Sequence, residues 1–241
     1  MDWLTLSSYS SLAVQFITGI VGIDGLLLKL KKEDIILQQA LKLETFVQLV
    51  EFIFYIYLVY SLYVKKLPDN ITSTRYIDWF ITTPTMLIST IVYLKYQEYH
   101  ETKQTNNQVN EENKENKVLD FIQLLKDEKV PIIKILIGNW LMLLFGYLGE
   151  RNVLEPKVSV SIGFIFFAYT FKILYSNYGS KSQTGLKLYY FMFLFWSLYG
   201  VAAVFDFNNK NISYNILDLF AKNFYGLFLY FVIKSKAINT N

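Results

Sequence analysis

The stretch that decides the fold is SYNILDLFAKNFYGLFLYFVIK, residues 213–234. It is long and apolar enough to cross a bilayer as a helix, because one crossing takes roughly 20 residues. Asp218 and Lys222 lie near its middle and are four residues apart, so their side chains share one helix face. An ionisable side chain at the centre of a membrane costs about 2.5–3.5 kcal/mol, which makes this pair a candidate functional site. A structural ion pair is the alternative.

The rest of the chain has the same character. Of its 241 residues, 53% are apolar and 18% are aromatic, and short polar loops separate the apolar runs. Seven runs are candidate spans, at about 4–28, 43–65, 75–96, 130–148, 158–176, 185–205 and 213–234. Only helices and closed barrels satisfy the backbone in lipid, so seven continuous runs predict an all-α membrane protein. We expect one domain over residues 1–241, a seven-transmembrane-helix bundle.

The cationic residues predict the orientation of this bundle. The loops that would be inside if the N-terminus is extracellular carry most of the lysines, and this excess places the C-terminus in the cytoplasm. The opening MDWLTL has no basic segment and no cleavage site, so we expect the first helix to remain in the mature protein. A net charge of +3 gives no reason to expect nucleic acid. With no cysteine and one histidine, we expect neither disulfides nor a metal site.

Polar residues line one face of each of the first two predicted helices. In the first helix they are Ser8, Ser11, Gln15, Thr18 and Gly22. In the second helix they are Glu44, Gln48, Glu51 and Tyr55. Spacings of three, four and seven residues keep each set on one face. Close packing of small residues explains the first set equally well, whereas helix packing gives no reason to bury two carboxyl groups.

The third predicted helix carries the string RYIDWFITTP, residues 75–84. Asp78 and Thr82 are one turn apart, and Arg75 lies about one turn before Asp78. The string therefore buries a cation beside an anion in a second helix. Pro84 leaves the carbonyl group of Phe80 without its helical donor, which is a common cause of a bend.

This string and LDLFAK, residues 217–222, together resemble the microbial (type 1) rhodopsin family. The string WSLYG, residues 196–200, is similar to that family's Trp-x-x-Tyr-Pro. The resemblance implies all-trans retinal bound covalently to Lys222 as a protonated Schiff base, with Asp78 and Asp218 as counterions. It also implies roles for further residues: Arg75 as the outward cation, Trp79 and Trp196 on either side of the polyene, Thr82 as hydrogen-bond partner of Asp78, Thr83, Met86 and Tyr199 as pocket lining, and Tyr57 as the tyrosine that supports the second aspartate.

Charge pairing agrees with this picture independently. The Schiff-base cation and Arg75 balance Asp78 and Asp218, and buried charges are tolerated only when they are paired. Light would move the positive charge relative to the two carboxylates. We expect a photoreceptor that catalyses no enzymatic reaction.

Two departures from the family's outward pumps bear on function. Those pumps place a cytoplasmic carboxyl donor where this sequence has Ser89, and the segment after the sixth helix offers a single acid, Asp206. A pump lacking a donor and paired release groups would be slow. A slow outward light-driven proton pump and a photosensory rhodopsin therefore remain as alternatives.

The polar stripes favour a third function, a light-gated passive cation conductance. In this fold helices 1, 2, 3 and 7 are neighbours, and carboxyl, amide and hydroxyl oxygens suit partly dehydrated cations. The predicted ion path is lined by Ser11, Gln15, Glu44, Gln48, Glu51, Ser89 and Asn223. Ser11, Glu44, Glu51 and Asn223, around the triad Asp78, Thr82 and Ser89, also resemble the channel-forming viral rhodopsins. The expected partners are the lipid bilayer, retinal and permeant cations or protons, and a homo-oligomer stays open.

The segment between the third and fourth spans is polar. Residues 101–117 predict a mobile cytoplasmic loop. Residues 118–128 have an apolar face opposite charged residues, which predicts a short amphipathic helix at the membrane interface. Docking of a partner on this helix is the alternative.

Overall fold

Long helices that run back and forth make up the structure, a computed structural model that describes residues 2–68, 70–109 and 118–238. The helices are α1 Trp3–Leu27, α2 Ile35–Tyr63, α3 Ile71–Val109, α4 Phe121–Asp127, α5 Lys129–Glu150, α6 Pro156–Asn177, α7 Gln183–Ala202, α8 Phe207–Asp218 and α9 Tyr225–Lys236. A π-helical turn, Leu219–Phe224, joins α8 to α9. These three segments form one continuous rod, which we call the last span.

Seven rods match the seven predicted spans. Six helical segments in the described part have the length and hydropathy needed to cross a membrane. The seventh rod is α7, whose tyrosine and tryptophan residues lower its hydropathy. The rods form a closed ring in which α1 contacts α2 and the last span, α3 contacts α2, α5 and α7, and α6 contacts α5 and α7. Helices α1 and α2 thus contact each other and the last span, and α3 contacts α2.

Several helices continue beyond their apolar runs. Helix α2 begins at Ile35 rather than at 43, and α3 reaches Val109 rather than ending at 96. The predicted mobile loop is therefore wrong for residues 101–109, while residues 110–117 lie outside the described residues. The helix predicted at 118–128 is α4, and the Asp120 side chain caps it by accepting a hydrogen bond from the Gln123 backbone at 2.8 Å. Hydropathy marks only the part of a helix that suits lipid, so it misses polar extensions.

Pro84 lies inside α3, as the sequence requires, and removes a backbone donor from the helix. The carbonyl oxygen of Phe80 that loses this donor accepts a hydrogen bond from the indole N–H of Trp140 on α5 at 3.3 Å. The indole also stacks on the Phe80 ring, with 6.0 Å between ring centroids. A neighbouring helix thus replaces the lost bond, which a polar group at the lipid boundary needs.

Small residues let α5 and α6 pack closely. A Cβ atom at Gly138 would collide with the Thr170 hydroxyl, and one at Gly149 would collide with the Ser159 hydroxyl. The Ser159 hydroxyl also donates a hydrogen bond to the backbone carbonyl of Phe145. Close helix contact through glycine and serine is typical of membrane helices. This pair forms one wall of the cavity described below.

Candidate functional site

Three carboxyl groups surround the amine of Lys222. The Nζ atom lies 3.0 Å from Asp78 Oδ2, 3.0 Å from Glu51 Oε1 and 3.3 Å from Asp218 Oδ1. The carboxyl groups come from α3, α2 and the last span, and the Lys222 side chain is only 2% exposed. The sequence predicted Asp78 and Asp218 at this position, but it placed Glu51 in the ion path. The structure places Glu51 against Lys222, in the same cluster as the two aspartates.

Asp218 has the most complete set of partners in this cluster. The Tyr199 hydroxyl donates to Oδ1 at 2.7 Å, the Tyr55 hydroxyl donates to Oδ2 at 2.8 Å, and Arg75 lies 3.3 Å from Oδ2. The supporting tyrosine on α2 is therefore Tyr55, and the role implied for Tyr57 is wrong. Tyr57 is 42% exposed and faces outward, whereas Tyr55 is fully buried. The two positions differ by two residues, which turns a helical side chain to the opposite side of the helix.

Arg75 pairs with the last span rather than with the acid on its own helix. Its guanidinium donates to Asp218 Oδ2, to Asn211 Oδ1 at 3.2 Å and to Asn215 Oδ1. It also lies over the Phe54 ring, 5.0 Å from the centroid. The two asparagines were not singled out from the sequence. Their positions on the same helix face as Asp218 are the signal that identifies them.

Asp78 is less well supported. The Thr82 hydroxyl donates to the backbone carbonyl of Asp78 at 3.0 Å, so the expected bond to the carboxyl group is wrong. Within the residues that the structure describes, Oδ1 of Asp78 has no hydrogen-bond partner. A threonine in a helix commonly satisfies its hydroxyl through the carbonyl four residues earlier. This carboxyl group is thus held mainly by Lys222.

The charges of the cluster do not balance formally. Lys222 and Arg75 are two cations, and Glu51, Asp78 and Asp218 are three acids, all almost completely buried. The balance expected from the sequence omitted Glu51. An uncompensated charge in a low-dielectric interior is costly, and one proton bound among the three carboxyl groups would restore neutrality. The cluster can therefore hold a proton as well as a cation.

An apolar cavity has Lys222 in its wall. The lining predicted from the resemblance is present in full: Trp79, Thr83, Met86, Trp196 and Tyr199. Further lining residues are Tyr76, Met142, Leu143, Val160, Gly163, Ala203, Tyr214 and Ala221. Gly146, Phe164 and Phe167 line it as well. A buried amine at the wall of a long aromatic cavity fits an apolar aldehyde such as retinal, which would join it as an imine.

The π-helical turn explains how Lys222 and its neighbour both face inward. Ala221, Lys222 and Asn223 are consecutive, yet all three are buried. A regular α-helix would turn one of them towards the outside, and short π segments often occur at functional sites. The wider turn directs Lys222 to the carboxyl cluster and Asn223 to α1.

Asn223 and Gln15 form a reciprocal pair of side-chain amides between the last span and α1. Gln15 Nε2 donates to Asn223 Oδ1 at 3.0 Å, and Asn223 Nδ2 donates back to Gln15 Oε1 at 2.8 Å. Asn223 also donates to the Thr18 hydroxyl at 2.7 Å, and the Ser11 hydroxyl donates to the backbone carbonyl of Asn215 at 3.1 Å. The polar stripe of α1 therefore faces the last span, as the sequence predicted.

Glu44 and Ser89 form a second polar contact, between α2 and α3. The Ser89 hydroxyl donates to Glu44 Oε1 and lies 3.5 Å from the hydroxyl of Tyr225. Gln48 lies between this contact and Glu51, and its amide group occupies the space that a Cβ atom at Gly226 would need. All the residues predicted to line the ion path are buried: Ser11, Gln15, Glu44, Gln48, Glu51, Ser89 and Asn223.

Comparison with known proteins defines the class. A family model described as bacteriorhodopsin-like protein matches residues 7–236. The chain belongs to this family, the microbial rhodopsins, whose members bind retinal through a Schiff-base lysine. It is therefore a retinal protein and a multi-pass integral membrane protein. Lys222, buried at the cavity wall, is the lysine in the position that such a bond requires.

The individual relatives described next share 28% sequence identity or less with this chain. The crystal structure of viral rhodopsin OLPVRII is similar with a TM-score of 0.77 and 28% identity, covering 97% of this chain and 99% of that one. Blue light-absorbing proteorhodopsin from Med12 has a TM-score of 0.70 and 18% identity, covering 97% and 98%. A green-light absorbing proteorhodopsin of Gamma-proteobacterium EBAC31A08 is 22% identical over 188 residues, which are 71% of this chain and 65% of the relative. These likenesses support the seven-helix fold.

Proposed function

We propose that this retinal protein is a light-gated cation channel, in which ions flow passively between α1, α2, α3 and the last span. The observation that carries the proposal is the column of buried polar side chains on the facing sides of these four rods. Glu44 and Gln48 lie towards one end, and Ser11 and Gln15 face the last span. Helix packing alone does not require this many buried polar groups, and intramembrane ionisable residues commonly mark ion pathways.

The carboxyl cluster is the part of the column that senses light. Bound retinal would supply the energy, because its isomerisation by light would displace the Lys222 nitrogen to which it is joined. Asp78, Asp218 and Glu51 neutralise that nitrogen in the dark. Once the positive charge moves away from them, the three carboxyl groups become a site of excess negative charge that attracts a cation or a proton.

Two contacts close the column in the dark. The amide pair of Gln15 and Asn223 joins α1 to the last span, and the bond from Ser89 to Glu44 joins α3 to α2. Asn223 follows Lys222 directly in the π-helical turn, so a movement of the lysine backbone also moves the amide. We propose that this link converts light absorption into separation of the Gln15–Asn223 pair.

The orientation of the channel belongs to the same proposal. An extracellular N-terminus places Arg75 near the outer end of the column and Glu44 near the cytoplasmic end. The excess of lysines in the loops at the Glu44 end supports this orientation through the positive-inside rule.

One observation favours the slow proton pump as the second candidate. The sequence has Ser89 where the family's outward pumps carry a carboxyl donor, but the Ser89 hydroxyl donates to Glu44 on α2. A carboxyl group therefore lies next to that position, supplied by a different helix. Glu44 would then return a proton to the cluster in place of the missing acid on α3.

Photocurrents under voltage clamp test the two candidates. A channel gives a current whose reversal potential follows the cation gradient when sodium, potassium or protons are replaced outside. A pump gives a current of one sign at zero gradient. Glu44→Gln removes a carboxyl group from α2 inside the column. Glu98→Gln removes one from α3 outside the column and is the matched control. An outward current that persists at zero gradient and ignores the cations would reject the channel.

A further inference from the structure

An ion pair joins the end of α5 to the start of the last span. The Lys210 amine donates to both oxygens of the Glu150 carboxylate, at 2.8 Å and 2.9 Å. Asn211, the next residue in the last span, accepts a hydrogen bond from Arg75, so the pair lies at the Arg75 end of the bundle. Its side chains are 14% and 16% exposed, and a shielded pair is screened less by salt than an exposed one. The pair can therefore hold α5 against the last span.

Both helices place this pair one turn beyond the wall of the retinal cavity. Gly146, four residues before Glu150 on α5, lines the cavity, and so does Tyr214, four residues after Lys210. Residues four apart on a helix share one face and lie about 6 Å apart along its axis. Because α5 ends at Glu150 and the last span begins near Lys210, the pair lies on the side of the cavity that faces the Arg75 end. It covers that end of the cavity.

An apolar cluster fills the space between the ion pair and the cavity. Helices α3, α5 and α7 and the last span contribute its members, which are Tyr76, Trp79, Leu143, Ala202, Tyr214 and Leu217. The Tyr214 ring packs edge-on against Trp79 and stacks on Tyr199, with 4.9 Å and 5.8 Å between ring centroids. The Tyr76 hydroxyl rests on Gly146, where a Cβ atom would lie 2.7 Å from it. Separating α5 from the last span would part this cluster and open a path for water towards Lys222.

We propose that Glu150 and Lys210 are positioning residues that hold this cluster closed and thereby keep water away from the Lys222 imine. Water adds to the carbon–nitrogen double bond of an imine and returns the amine and the aldehyde, so a lasting imine needs a site that excludes water. The proposal concerns the stability of the bound pigment. It requires retinal at Lys222 and is independent of whether the protein conducts ions.

Bleaching by hydroxylamine in the dark measures how readily a water-soluble reagent reaches the imine. Hydroxylamine attacks the imine carbon, forms the retinal oxime and frees the Lys222 amine. Glu150→Gln keeps the shape of the side chain and removes its charge. We expect bleaching at least about threefold faster, because a partly shielded ion pair contributes more than an exposed one. The double variant Glu150→Gln with Lys210→Gln should bleach no faster than either single variant, since both changes break the same contact.

Glu128→Gln is the matched control. Glu128 lies just before α5, at the opposite end of that helix, and pairs with Lys95 of α3 at 3.1 Å. It also breaks an ion pair of α5, but at the Glu44 end, so we expect bleaching at the wild-type rate. Three results would overturn the proposal: equal bleaching in Glu150→Gln and the wild type, equal acceleration in Glu150→Gln and Glu128→Gln, or additive acceleration in the double variant.

Cysteine labelling in the dark tests the closure at a second place and remains available if Glu150→Gln fails to fold. Leu143 is buried in the apolar cluster and lines the cavity, and the chain has no cysteine, so Leu143→Cys provides a single thiol. We expect a water-soluble thiol reagent to label the retinal-bound protein faster when Lys210→Gln is also present. Mass spectrometry measures the labelled fraction over time. Equal labelling with and without Lys210→Gln would reject closure by the ion pair, whatever the photocurrents show.

Discussion

Removing one hydroxyl group at Tyr55 tests the structure of the carboxyl cluster directly. Tyr55→Phe keeps the ring and deletes the hydroxyl that donates to Asp218 Oδ2 at 2.8 Å and lies 3.1 Å from Asn215 Oδ1. The site is fully buried, so water does not replace the lost donor. The hydrogen bonds from Tyr199 and Arg75 to Asp218 remain.

These contacts determine how much stability Tyr55→Phe is expected to lose. A hydrogen bond to a charged group contributes about 1.5–3 kcal/mol to the free energy of unfolding. Because the other donors to Asp218 remain, we expect the loss in Tyr55→Phe to lie near the lower limit. For a chain of this size, about 1 kcal/mol corresponds to roughly 2–4 °C in melting temperature. We therefore expect the retinal-bound protein to melt about 3–6 °C lower.

The assay is thermal loss of the visible absorbance of the purified, retinal-bound protein. Tyr57→Phe is the control, because it makes the same chemical change two residues away on the same helix at a side chain that is 42% exposed. We expect its melting temperature to equal that of the wild type. If the two variants melt at the same temperature, or if Tyr57→Phe is the less stable one, the assignment of Tyr55 to Asp218 is refuted.

Three further variants test the cavity and the column. Lys222→Ala should abolish visible absorbance with retinal, and an unchanged spectrum would exclude Lys222 as the attachment site. Glu51→Gln should reduce the photocurrent and shift its reversal potential between cations, because it removes a carboxyl group 3.0 Å from the amine; an identical current–voltage relation would remove Glu51 from the path. Gly200→Ala should slow retinal uptake, because the new Cβ would lie 2.5 Å from the Phe164 ring at the cavity wall; uptake at the wild-type rate would show that the ring yields.

Much of the site could be predicted because residues on one helix face recur every three or four positions in the sequence. Glu44, Gln48, Glu51 and Tyr55 form one stripe on α2, and the structure buries all four. The same periodicity contained the information that selects Tyr55 over Tyr57. Assigning the supporting role from the family resemblance, rather than from the stripe, led to the error.

Other features depend on distances between helices, which no single helix face encodes. The contact of Glu51 with Lys222 depends on how α2 is rotated against the last span. The hydrogen bonds from the Gln183 and Thr184 backbone to the Glu101 carboxylate depend on the polar extension of α3. Hydropathy could not predict that extension because its residues suit water as well in a helix as in a loop. The π-helical turn also has no marker in the sequence, since neither glycine nor proline occurs in residues 219–224.

That turn has a mechanical consequence for the last span. A π turn is a regular helix with one surplus residue, and the surplus can be passed to the next turn by exchanging a few backbone hydrogen bonds. The rod can therefore rotate one half against the other about its long axis without breaking. Asp218 and Asn223 lie on opposite sides of Lys222 in the chain, so such a twist would change the angle between an acid and an amide that now face different helices. A straight α-helix at this place would have to bend or shift as a whole to do the same.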